Sequence, residues 1–94
     1  MKKLSSLAVL ALLLVSACSP AALPQDGAVI PWAQAVELLN SRSVTQVFQA
    51  HSLQVSLTLV NGARVSTTEP SIDEIFRVIE ECGAKCANIA QATE

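Results

Sequence analysis

The sequence predicts a small α+β domain: an antiparallel β-meander of three or four strands, packed by two α-helices and preceded by an apolar leader. Three observations carry this. Residues 53–60 alternate apolar and polar side chains with period two, the mark of a half-buried antiparallel strand. Asn61-Gly62 follows at once, and that dipeptide between alternating segments is a strong hairpin signal. On either side, residues 31–40 and 71–82 repeat apolar residues at helical spacing.

The elements follow in order. Pro31 suits the first turn of a helix. Trp32, Ala35, Val36 and Leu39 then fall on one face, and Asn40, Ser41 and Arg42 end it. Val44 to Ala50 is β-leaning and closes on the turn Ala50-His51-Ser52. In the next strand Leu53, Val55, Leu57 and Leu59 point inward, and Gln54, Ser56 and Thr58 point outward. Asn61-Gly62 is expected to form a type I′ turn. Ala63 to Thr68 returns as a third strand with Ala63, Val65 and Thr67 on one face. Ser71-Ile72-Asp73-Glu74 fits a capping box, in which serine caps the helix and glutamate reaches back. Ile72, Ile75, Phe76, Ile79 and Cys82 form the buried stripe, with Arg77, Glu80 and Glu81 off it, and Gly83 ends the helix. Ala87 to Ala90 is a candidate fourth, edge strand, and 91–94 is expected to be a loose tail.

The N-terminus carries an address. Lys2 and Lys3 precede a run from Leu4 to Val15 that is apolar except for Ser5 and Ser6, followed by Ser16 and Ala17. That is the layout of a secretory signal peptide, and the run is short of the roughly 20 residues a membrane span needs. Val15-Ser16-Ala17-Cys18 resembles the lipobox of bacterial lipoproteins: an aliphatic residue, two small ones and a cysteine. The resemblance implies diacylglyceryl transfer to Cys18, cleavage before it and acylation of the new amino terminus. Two or more acyl chains hold stably where one does not, because each buried methylene contributes about 0.8 kcal/mol. Ser19 rather than Asp follows the cysteine. In a two-membrane cell the lipoprotein pattern then implies the outer membrane, and in general an envelope location facing the periplasm or the cell exterior.

Removing residues 1–17 from the 94 leaves 77, enough for one domain. Without Lys2 and Lys3 the basic residues are Arg42, Arg64, Arg77 and Lys85, four against eight acids, a net charge of −4. Such a balance has no footprint for nucleic acid or for anionic headgroups, so membrane attachment falls to the lipid. Pro20, Pro24 and Gly27 mark Ser19 to Ala28 as a tether, whose ten flexible residues would span roughly 17–19 Å. The expected division is thus leader 1–17, anchored tether 18–29, domain 30–90 and tail 91–94.

The order of elements from 30 to 89 also resembles the small extracytoplasmic domain of FtsH-type membrane proteases. The residues that carry this are Pro31-Trp32, Val44 and Val47, Asn61-Gly62 and Thr67-Thr68-Glu69-Pro70. The resemblance covers only that family's non-catalytic domain. Neither a P-loop nor a His-Glu-x-x-His motif is present, so it implies no ATPase or protease activity.

Chemistry-bearing residues are few. Cys82 and Cys86 are four residues apart, about 6 Å along a helix, and an exported protein meets conditions that join such pairs. A structural disulfide is one reading. A redox-active pair is another, although the helix C-terminus and Glu80 and Glu81 disfavour a thiolate. A metal site from Cys82, Cys86 and His51 is a third. His51 is the only histidine, and it makes neither a catalytic base nor a resident metal site the favoured expectation. Trp32 suits core packing or an interaction anchor. The polar strip Gln54, Ser56 and Thr58 is a candidate contact face. The expectation is therefore a non-enzymatic, lipid-anchored envelope module for protein interaction or structure. It implies no cofactor, a membrane reached through Cys18 and an envelope protein as partner. The alternative is a thiol-redox or metal-binding protein using Cys82 and Cys86 with His51.

Overall fold

The computed structural model describes residues 22–94; the leader expected over 1–17 and the lipobox cysteine Cys18 lie outside the described residues. The chain runs through helix α1 (Trp32–Asn40), strands β1 (Val44–Gln49), β2 (Gln54–Leu59) and β3 (Arg64–Thr68), helix α2 (Glu74–Cys82), a 3₁₀ turn (Gly83–Cys86) and strand β4 (Ala90–Thr93). The four strands form one sheet in the order β3-β2-β1-β4. Both helices cover one face, and the core lies between the layers. Ala35, Leu38 and Leu39 of α1 and Ile75 and Ile79 of α2 meet Val47, Val55, Leu57, Leu59 and Val65 there. The α+β class expected from the sequence is the class observed. Among the described residues no helix is long and apolar enough to cross a membrane.

The sheet is mixed rather than wholly antiparallel. β1–β2 and β2–β3 are antiparallel, but β4 pairs parallel to β1, Gln46 beside Ala90 and Gln49 beside Thr93. The edge strand therefore lies over 90–93, not 87–90, and the segment expected to be a loose tail is part of the sheet. Ala90-Gln91-Ala92-Thr93 alternates only alanine with polar residues and has little β-propensity. It is held by the open backbone edge of β1, to which the crossover through α2 returns the chain.

A bulge sets the phase of β1. Val44 pairs with Leu59 but Gln46 with Thr58, so Thr45 is the extra residue, and its hydroxyl donates to the Thr58 carbonyl at 3.2 Å. One added residue reverses the alternation beyond it. Val44, Val47 and Gln49 consequently face inward, while Gln46 and Phe48 face out.

Both hairpins close on three-residue loops. The Gly62 N–H donates to the Leu59 carbonyl at 2.9 Å, and the Leu59 N–H donates to the Ala63 carbonyl at 2.8 Å. Gly62 has φ +86° and Asn61 a negative φ. The expected type I′ turn is thus replaced by the loop in which a glycine follows a tight turn in the left-handed region. Asn61 Oδ1 accepts the Ala63 N–H at 3.0 Å, which holds that geometry. The β1–β2 turn has the same hydrogen-bond pattern across Ala50 and Gln54. Leu53 takes the glycine position there at φ +71° and so lies outside β2.

The start of α2 differs from the capping box. The N-cap is Asp73, left-handed at φ +69° and without a side-chain cap bond. Ile72, expected in the buried stripe, is 53% exposed. Glu69 supplies the cap instead, from six residues before the amide it serves. Its carboxylate is 1% exposed, and Oε2 accepts the Ile75 N–H at 2.9 Å. Gln49, inward because of the bulge, clamps Asp73 twice. Its Oε1 accepts the Asp73 N–H at 2.8 Å, and its Nε2 donates to Asp73 Oδ1 at 3.0 Å. Ser71 is exposed and caps nothing through its side chain.

The domain also reaches further back than residue 30. Along the outer edge of β3, Gly27 N–H donates to Arg64, Ser66 N–H to Ala28 and Ile30 N–H to Ser66. Asp26 Oδ1 accepts the Arg64 N–H at 2.8 Å. Leu23 and Ala28 pack against the core. Residues 23–29, expected in the tether, thus belong to the folded unit.

Replacing Glu69 removes both an acceptor and buried volume. Glu69→Ala is expected to lower unfolding free energy by about 2 kcal/mol, measured by urea denaturation. Glu69→Gln keeps an acceptor and is expected to lose less. An alanine variant as stable as the parent would remove Glu69 from this role.

Candidate functional site

The sheet's uncovered face gathers the polar strip. Gln54, Ser56 and Thr58 point outward from β2, as expected, with Ser56 and Thr58 half-buried. Register places Phe48 beside Ser56, Gln46 beside Thr58, Ser66 beside Ser56 and Arg64 beside Thr58. Phe48 is 40% exposed and shares a shallow depression with Ser56, Thr58 and Arg64. Strict alternation from Val44 would have put Phe48 in the core. The signal for its outward position is the i, i+3 pair Val44 and Val47, which a bulge alone reconciles with one face. On the β4 side of the sheet all four residues of Ala90–Thr93 are exposed.

Trp32 does not join this face. It begins α1, is half-buried and packs against the core, so it lies in the helix layer, on the other side of the sheet from Ser56 and Thr58.

Cys82 and Cys86 form a disulfide with their Cα atoms 5.7 Å apart. Gly83, at φ +67°, turns the chain between them, and the 3₁₀ turn shortens the path. Cys86 is 2% exposed, and its sulfur lies 3.4 Å from the Leu39 carbonyl oxygen. The bridge therefore pins the end of α2 to the 3₁₀ turn that follows it, and that turn packs against the end of α1. A buried sulfur against a carbonyl oxygen, at a helix C-terminus, is a poor place for a thiolate.

His51 lies elsewhere. It sits in the turn after β1, exposed, with Nδ1 3.6 Å from Glu94 Oε2, and its backbone N–H donates to the same carboxylate at 3.0 Å. The disulfide packs near the residues that precede β1. The length of that strand therefore separates His51 from Cys82 and Cys86. Among the described residues no three His, Cys, Asp or Glu side chains cluster so as to hold a metal ion.

Charge on α2 is organised along its surface. Arg77 bonds Glu74 one way and Glu81 the other. The hydrogen bond from Arg77, then its charge, holds the Glu74 carboxyl below its ordinary value of 4.5. Arg42 and Lys85, by contrast, have no acidic partner within 4.0 Å among the described residues. Both line one cleft of about 310 Å³ with Val44 and Ile89. Cys18, the lipidation residue expected from the lipobox, lies outside the described residues.

In comparisons with known proteins, the chain matches no family model and no curated protein.

Two outcomes follow from this geometry. Reducing the disulfide, or replacing both cysteines by alanine, is expected to cost about 2 kcal/mol for a loop of this size, read as a lower denaturation midpoint. An unchanged midpoint would make the bridge dispensable. For Glu74 the sign runs with its lowered pKa. Its contribution to stability is present above the carboxyl's unfolded pKa and is lost as pH falls through the folded value. In Arg77→Gln the Glu74 midpoint, followed by NMR, is expected to rise towards 4.5; a midpoint that stays put would assign the shift to another cause.

Proposed function

We propose that this chain is a lipid-anchored envelope lipoprotein whose domain serves as a non-catalytic interaction or structural module. The carrying observation is the sequence Val15-Ser16-Ala17-Cys18 at the end of a short apolar run behind Lys2 and Lys3. Two further observations support it. Cys82 and Cys86 are joined, as suits an oxidising compartment, which leaves Cys18 as the one cysteine outside that pair. Leu23 already packs on the core, so the anchor stands only a few residues from the domain. The module's contact surface is the outer face around Phe48, Ser56 and Thr58, and its partner is another protein of the envelope. In a two-membrane cell the site of residence is the outer membrane.

The thiol-redox or metal reading has less support. Cys86 is buried, and His51 lies beyond the far end of β1 from the bridge.

Mass spectrometry of the protein from a membrane fraction tests the proposal. The expected result is a chain beginning at Cys18, with a diacylglyceryl thioether and an acylated amino terminus. A chain that retains Met1 and an unmodified Cys18 would refute it.

A further inference from the structure

We infer that the end of the domain carrying Arg42 and Lys85 rests on the bilayer that holds the anchor, with both cations meeting phospholipid phosphates. This rests on the lipoprotein reading and adds an orientation to it. Three observations converge on that end.

The first is where the chain enters. Ala22 sits beside Glu37, Ser41 and Ser43 at the close of α1. Cys18 is four residues earlier, a reach of at most about 14 Å even when fully extended. An acylated Cys18 therefore holds this end, not the opposite one, against the headgroups.

The second is charge. Arg77 is engaged by Glu74 and Glu81, and Arg64, whose guanidinium also lacks a carboxylate partner among the described residues, lies away from this end on the outer sheet face with Phe48 and Ser56. At this end Arg42 and Lys85 line one cleft, without a carboxylate partner among the described residues. Lys85 Nζ reaches only the neutral Asn40 Oδ1, at 3.5 Å. Acids are close: Glu37 beside Ala22, and Glu80 and Glu81 in the last turn of α2, the latter held by Arg77. The opposite end carries Asp73 and Glu94 near the β1–β2 turn. The net charge of −4 thus conceals a polarity that the average does not show.

The third is strain. The end of α1 is a Schellman turn, with Ser43 N–H on the Leu38 carbonyl and Arg42 N–H on the Leu39 carbonyl. The residue at its turning point is normally glycine, and here it is Arg42 at φ +61°. A long cation in that position works against local stability, and an outlier of this kind points to a use outside the fold. Val60, 58% exposed at the start of the β2–β3 loop, lines the same cleft and offers an apolar contact near the two charges.

The acylated full chain, reconstituted in nanodiscs of phosphatidylethanolamine and phosphatidylglycerol with a trace of gadolinium-chelating lipid, tests this by amide line broadening. Broadening is expected at Arg42, Asn61 and Asn88, and little at His51, Ser52 and Thr93. Arg42→Asn with Lys85→Gln is expected to reduce the broadening at Asn88 at least roughly fivefold, the contribution of one cation near an anionic surface. The same variant should keep or raise the parent's Tm, since asparagine tolerates the left-handed region. If the two cations served only the ends of the helices, Tm would fall and broadening would not change. Uniform broadening, or broadening strongest at His51, overturns the orientation while leaving the anchor standing. A chain without acyl groups at Cys18 removes both.

Discussion

The start of α2 is held by two side chains that the sheet buries. Glu69 accepts the Ile75 N–H, and Gln49 binds Asp73 at both backbone and carboxylate. An unmet helix N-terminus over a core would leave donors unsatisfied. These contacts answer that need and fix where the helix leaves β3. At its other end, α2 is tied through Cys82 and Cys86 to the 3₁₀ turn beneath the Leu39 carbonyl. The helix is thus fastened at both ends, and β4 can then be laid against β1. The one-residue bulge at Thr45 is the origin of the first fastening, because it turns Gln49 inward.

Much of this was legible. The period-two run 53–60, the helical stripes and the hairpin at Asn61-Gly62 identify the class and place α1, β2 and β3 within a residue or two. What escaped were features set by long-range partners. Glu69 reads as an ordinary acid before a proline, and only the folded chain brings it to Ile75. Ser71 and Glu74 have the spacing of a capping box, yet a left-handed Asp73 with a sheet partner prevailed over it. β4 has almost no local signal and is specified by the backbone of its neighbour. Residues 26–29 looked like linker because most of their hydrogen bonds run to β3 rather than within the segment.

The candidate surface was legible in part for the same reason. Gln54, Ser56 and Thr58 follow from alternation alone. Phe48 joins them only through the bulge, and Arg64 through the register of β3. Trp32, the side chain most suggestive of a contact residue, lies in the helix layer. The proposed reading separates two roles in space: it sets the end near Ala22, with Arg42 and Lys85, against the bilayer and leaves the outer sheet face for a protein partner.

Amide hydrogen exchange at Ile75 tests most directly whether the buried carboxylate fixes the fold. If Glu69 binds that N–H as described, Ile75 exchanges only when the whole domain opens, with protection equal to that of Val55 and Leu57 at the centre of the sheet. Exchange at the rate of an exposed loop amide, in a chain whose sheet remains protected, would contradict it.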